Sequence, residues 1–224
     1  MRIHPAPTPG TRPETIRIEG KGAASQILVW DWPVRIGHWL MVLGFALAWL
    51  TAESENFRRV HALAGGVVLA VAAFRLLWGI FGSRYARFAQ FLRGPADVIA
   101  YLASLADSRP QPQVGHNPAG GWAIVGLLAL ALGVGGTGLL AFNDLAGHWL
   151  EELHEGLAIG FLTLVGAHLA GVLASSLRHR ENLVRAMLTG RKEGAAAAAI
   201  ADARPLAALL LVVWVGVAAW LVAA

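Results

Sequence analysis

Five long apolar stretches dominate the chain, at about 34–52, 60–81, 122–142, 153–177 and 206–223. Each is close to the ~20 residues of α-helix that a hydrocarbon layer of ~30 Å requires. Inside such a layer every backbone N–H and C=O must find a partner within the protein, which leaves the helix as the natural form for runs this long. Only 14% of the residues are charged, where a soluble domain carries about a quarter. The chain is therefore expected to be an all-α integral membrane bundle whose immediate partner is lipid.

Other classes fall away on composition. Cysteine is absent, which excludes disulfides, thiolate zinc sites, cysteine-ligated iron–sulfur clusters and the Cys-x-x-Cys-His attachment of c-type haem. The net charge of +4 reads as basic loops on one membrane face rather than as a nucleic-acid surface. Residues 1–25 are rich in Pro, Thr and Arg without apolar periodicity, and read as a disordered arm with no secretory signal.

Loop charges suggest the orientation. The arm through Arg35 carries five basic residues, the second-to-third connection has Arg84, Arg87, Arg93 and Arg109, and six more basic residues follow the fourth span. The opposite side has Arg58 and Arg59, together with acidic Asp144, Glu151, Glu152 and Glu155. The positive-inside rule places the N-terminus in the cytoplasm, and five spans then carry the C-terminus to the periplasmic side. Trp30, Trp32, Trp78, Trp122 and Trp149 near the span ends fit an interfacial belt. Between spans two and three, apolar and charged residues alternate around Gly94-Pro95 in a way that suits the membrane interface.

Four histidines fall in or beside the spans: His38, His61, His154 and His168. Ionisable groups there are costly and mark function, although any single one is read equally well as hydrogen-bonding glue between helices. His154 and His168 are fourteen residues apart, so they lie about 40° apart around one helix and roughly 21 Å apart along it. Such a pair cannot share a metal, but can serve two sites stacked through the membrane. Depth and direction then match His61 with His154 on the outer side and His38 with His168 on the inner side. Two facing imidazoles suit haem, whose porphyrin supplies four nitrogens, better than zinc, which wants further protein ligands.

Arg35, one turn before His38, is placed to meet haem propionates or to act as an ordinary anchor at the helix end. Arg75 near the end of the second span is open to a snorkelling reading. Gly65, Gly66, Gly133, Gly135, Gly136 and Gly138 admit a flat macrocycle or close helix packing alike. His148 with Glu151, Glu152 and His154 has the composition of a metal cluster, and also of a solvated acidic loop end.

The stretches VWDWPVRIGHWLM, HALAGGVVLAVAAFRLLWG, ARFAQFLRGP, GHNPAGGW and LHEGLAIGFLTLVGAHLAGV, with the tail LVRAMLTGRK, resemble the bacterial cytochrome b561 family. That family is related to the cytochrome b subunits of nickel–iron hydrogenases and formate dehydrogenases. The resemblance spans about residues 28–193 and implies a four-helix core binding two b haems through His38, His61, His154 and His168. It implies electron transfer between a periplasmic partner, such as a c-type cytochrome or hydrogenase, and quinone near the inner haem. By the same resemblance Asn117 is the counterpart of an asparagine at the quinone of formate dehydrogenase subunits. The expected organisation is an arm at 1–27, the di-haem domain at 28–193, a linker at 194–204 and an accessory C-terminal transmembrane helix at 205–224.

Three roles stand beside electron carrier between partner and quinone: membrane-anchor subunit of a hydrogenase- or formate dehydrogenase-like complex, quinone-linked oxidoreductase, and histidine-containing transporter. The spans carry almost no carboxylate or lysine for proton relay or ion binding, which disfavours the transporter. Self-association is left open by the sequence.

Overall fold

The computed structural model describes residues 25–104, 114–143, 145 and 147–224. In chain order the elements are β1 (Ser25–Leu28), α1 (Trp32–Thr51), α2 (Arg58–Phe81), α3 (Phe88–Phe91), α4 (Pro95–Ser104), α5 (Pro118–Phe142), α6 (Trp149–His179), α7 (Leu183–Thr189), β2 (Arg191–Gly194) and α8 (Pro205–Ala223). Five of these helices, α1, α2, α5, α6 and α8, are long and apolar enough to cross a membrane. The chain is a helical membrane bundle, and the spans read from hydropathy coincide with these five.

Local chemistry sets where the spans begin. Asp31 caps α1 by accepting from the Val34 N–H at 2.9 Å, with proline in the first turn. Asn117 caps α5 in the same way, accepting from Gly120 N at 2.7 Å, and Pro118 follows. These caps satisfy amide donors that a helix start leaves without intrahelical partners, and proline loses nothing there because its missing N–H is one of those orphans. At 31 residues α6 is the longest element, about 46 Å from end to end. It outruns the hydrocarbon layer, so its charged ends, Glu151 and Glu152 at one and Arg178 and His179 at the other, reach the interfaces.

The helices pack as a chain of neighbours. α1 lies along α2, α2 along α5, and α5 along α6, while α8 lies outside against α2 and α1. The α8 contact is specific: Trp214 Nε1 donates to the Ala70 carbonyl at 2.9 Å, and Leu211 and Val215 are buried against Ala70 and Val71. α6 packs closely on α5 but approaches α1 and α2 far less closely.

At the His38 end, non-helical segments close over the bundle. β1 pairs antiparallel with β2, Ser25 opposite Gly194 and Leu28 opposite Arg191. Ile27, Val29, Trp30, Tyr85, Ala86 and Ile200 form a buried cluster beneath this ribbon. Tyr85 donates its hydroxyl to Ala198 O at 2.7 Å, and Ile200 N–H donates to Leu28 O at 2.9 Å. Gly190 has φ of 77°, and a Cβ there would stand 2.7 Å from the Trp30 carbonyl, so the turn into β2 requires glycine. One expectation is thereby revised. Residues 25–27 belong to a strand rather than to an unstructured arm, and within the 194–204 segment Ala198 and Ile200 pack on the ribbon. The remainder of the arm lies outside the described residues. The mixed segment around Gly94-Pro95 resolves into α3 and α4, broken where Pro95 opens a new helix.

Asp31 ties these layers together. It has no solvent exposure, and while Oδ1 caps α1, Oδ2 accepts from Trp78 Nε1 of α2 at 3.0 Å. Asp31→Ala removes a helix cap and the acceptor of a buried indole, at a combined cost of about 2–4 kcal/mol. Thermal unfolding followed by tryptophan fluorescence should show a clear drop for Asp31→Ala and a smaller one for Asp31→Asn; an unchanged midpoint in Asp31→Ala would contradict this role.

Candidate functional site

The four sequence-predicted histidines lie on three helices and form two levels. At one end, His61 of α2 and His154 of α6 face each other with ring centroids 6.0 Å apart and planes at 73°. His61 Nδ1 is 2.8 Å from the Ala48 carbonyl of α1. His154 Nδ1 is 3.0 Å from the Val134 carbonyl of α5, with Thr137 Oγ1 at 3.2 Å. A carbonyl only accepts, so in both rings Nδ1 carries the proton and the lone pair sits on Nε2. Holding Nδ1–H on a backbone carbonyl is the usual way of fixing tautomer and orientation in a metal-binding imidazole. Two metal–imidazole bonds of about 2 Å each would set ring centres roughly 6 Å apart, which matches the observed ring separation.

At the other end, His38 of α1 and His168 of α6 lie within electrostatic reach of each other without ring contact. The His38 ring meets Trp39 edge-on at 5.3 Å. Both histidines are half-buried.

A third level separates these two. Phe161 lies seven residues from both His154 and His168, Phe45 seven after His38, and Val68 seven after His61. Seven residues turn a helix by about 20° short of two full turns, so each of these side chains falls on its helix's histidine face, about 10 Å along. Phe161 and Val68 are buried in one cluster with Ala72, Leu128 and Ala131, and Phe45 packs on it. The Phe45 and Phe161 rings are 4.6 Å apart. An apolar aromatic layer thus lies between two imidazole levels.

The glycines divide by role. Gly135, Gly133 and Gly66 admit Leu69, Leu157 and Val222 of neighbouring helices, whereas Gly65 and Gly136 face nothing within 4 Å. Gly138 makes room for the His154 ring itself: a Cβ there would stand 2.8 Å from Cε1 and 3.1 Å from Nδ1.

Arg35 is fastened to α7 and to its own helix. Its Nη2 donates to the Leu188 carbonyl at the end of α7, and its guanidinium stacks over Trp32 at 4.2 Å. Asn117 uses Oδ1 as the α5 cap. Next to it stands His116, which no motif or span in the sequence singled out. The His116 ring lies between Trp30 at 4.6 Å and Phe91 at 4.7 Å. Burial, then the nearby charges of Arg75 and Lys192 and the rings of His168 and His38, push its pKa down to about 3, so it is neutral at pH 7. Only its adjacency to the Asn-Pro helix start marked it in sequence. His116 also borders a cleft of about 340 Å³ lined by Tyr85, Phe91, Arg84, Arg93 and Pro118.

The acidic group at the opposite end closes on itself. His148 Nδ1 donates to Glu151 at 2.9 Å with both side chains exposed, and among the described residues no three His, Asp or Glu side chains converge as metal ligands.

The prokaryotic cytochrome b561 family matches residues 29–190. The chain belongs to that family. Among curated proteins it is similar to the Probable Ni/Fe-hydrogenase 1 B-type cytochrome subunit of Escherichia coli strain K12, 27% identical over 142 residues, and equally to that of strain O157:H7. The match covers 52% of this chain and 60% of each relative's length. No solved structure matches the chain. Membership implies b-type haem, and the donor set fits it: paired imidazoles with fixed tautomers, in a bundle without thiolates.

Gly138→Ala tests the seat of His154. The added methyl must displace the imidazole or strain α5 at a cost of about 1–3 kcal/mol, so the purified variant should carry less haem than the unsubstituted protein. Equal haem content would show that the contact is not limiting.

Proposed function

We propose that this chain is a di-haem b-type cytochrome carrying electrons across the membrane between a redox partner at the His61–His154 end and quinone at the His38–His168 end. The observation that carries this reading is the His61–His154 pair, two rings from different helices with Nδ1 held and Nε2 left to ligate. The second site rests on His38 and His168, which the heptad-stepped face of α6 sets one layer below Phe161. Haem, when bound, supplies the one-electron chemistry. The protein's part is to hold the imidazoles, keep water out and set the local charge.

α6 provides one ligand to each level, so a single rigid element fixes the distance between them. Phe45, Val68 and Phe161 keep the intervening layer dry and hold the two levels apart. The quinone assignment is supported by the cleft beside His116, lined by Phe91 and Tyr85 and roughly the size of small ligand pockets. Asn117 adjoins it and keeps its Nδ2 donor, Oδ1 being engaged in the cap. Basic residues cluster at this end, which the positive-inside rule makes cytoplasmic.

At the far end Glu53, Glu55, Glu151, Glu152 and Glu155 are exposed and outnumber the exposed Arg58 and Arg59, a balance suited to a basic periplasmic partner. The hydrogenase subunits among the relatives make a hydrogenase a candidate for that partner, with a c-type cytochrome the other.

Single substitutions test the pairing. His168→Ala should remove one of two spectroscopically distinct haems and spare the other, and His61→Ala should do the converse. Retention of both haems in His168→Ala would break the proposed ligation.

A further inference from the structure

The layered arrangement leaves one charged side chain without a part. Arg75 lies fourteen residues after His61 on α2, as His168 lies fourteen after His154 on α6. The two helices start from the same end, so Arg75 stands at the depth of His168, within about 40° of the face that bears His61. It takes the place on α2 that a second ligand would occupy.

Its surroundings do not satisfy it. The guanidinium sits 5.3 Å over the Phe88 ring, and its Nη1 is sealed from solvent without a hydrogen-bond partner. Asp31 offers the opposite charge within electrostatic range, yet the two form no ion pair, and both Asp31 oxygens are already engaged by Val34 N–H and Trp78 Nε1. A guanidinium held in an apolar bundle with an unused donor is expensive unless an anion meets it. His116 lies within reach of Arg75, His38 and His168, and its Nδ1 is a second buried atom without a partner. Arg75 Nη1 and His116 Nδ1 thus gather at the His38–His168 level, where Trp39 Nε1 and Arg35 Nε are likewise buried without partners. Arg35, the alternative cation, also has a buried Nε without a partner, but its Nη2 donates to the Leu188 carbonyl and its guanidinium stacks on Trp32.

We infer that Arg75 is the carboxylate-holding residue of the His38–His168 site, taking a propionate of the haem there, with the His116 Nδ1–H as second donor. This rests on the di-haem reading. A planar guanidinium suits a carboxylate geometrically as well as by charge. Its positive charge also favours the reduced iron, so Arg75 raises the midpoint potential of that haem above the value it would have without it.

The test is redox titration of the purified holoprotein, with the unsubstituted protein measured first. Fewer than two haems there would remove the di-haem reading itself, independently of Arg75. Given two components, Arg75→Gln should lower the potential of one of them by at least a tenfold change in the reduced-to-oxidised ratio at fixed poise, about 59 mV for a one-electron couple, or release that haem alone. The other component should stay in place. In a His154→Ala background the single remaining haem should show the same effect.

Two controls separate a ligand contact from plain charge balance. Arg87→Gln removes an exposed cation at the same end, outside the His116 cleft, and should shift nothing. Adding Asp31→Asn to Arg75→Gln should not restore the haem or its potential. Unchanged potentials and haem content in Arg75→Gln, an equal shift in Arg87→Gln, or rescue by Asp31→Asn would each overturn the assignment.

Discussion

An imidazole inside a bilayer has few acceptable states, because each ring nitrogen must be bonded and a charge is hard to tolerate. That constraint organises the bundle around the histidines. At the His61–His154 level the backbone carbonyls of Ala48 and Val134, on helices other than the rings' own, take the Nδ1 protons. α1 and α5 therefore buttress imidazoles carried by α2 and α6. The chain of helix neighbours follows from this division: α6 leans on α5, α1 and α2 form a second wall, and α8 reinforces that wall from outside through Trp214.

The seven-residue step on α6 gives the interior its order. His154, Phe161 and His168 descend one face, matched on α2 by His61, Val68 and Arg75 and, in the opposite direction, on α1 by His38 and Phe45. Polar, apolar and polar levels alternate through the membrane in consequence. A one-residue insertion between His154 and His168 would rotate one ligand by about 100° and dismantle a site. The middle level does not need chemistry of its own; its Phe45–Phe161 contact keeps polar groups and water from bridging the two ends.

Much of this was legible in the residues because the signals are local. Hydropathy located the spans to within a few residues, and the Asp31 and Asn117 caps set the starts of α1 and α5. The relative depths of the histidines followed from the helical rise alone. What escaped was non-local. SQIL and RKEG show no strand pattern, and their pairing joins segments about 160 residues apart, so the ribbon over the His38 end could not be anticipated. His116 looked like a loop residue because the aromatic slot that buries it comes from Trp30 and Phe91, two separate segments. Arg35 stands one turn from His38 in sequence, but its hydrogen bond to the Leu188 carbonyl of α7 joins segments far apart in the chain and could not be read from that spacing.

The central claim is that the chain holds two haems, each between a pair of histidines. It is tested most directly by the haem-to-protein ratio of the purified, unsubstituted protein, measured as pyridine haemochrome against quantitative amino-acid analysis. The account predicts two b-type haems per chain, both low-spin as bis-imidazole ligation requires. A ratio of one, or a high-spin centre in protein with full haem content, would contradict it.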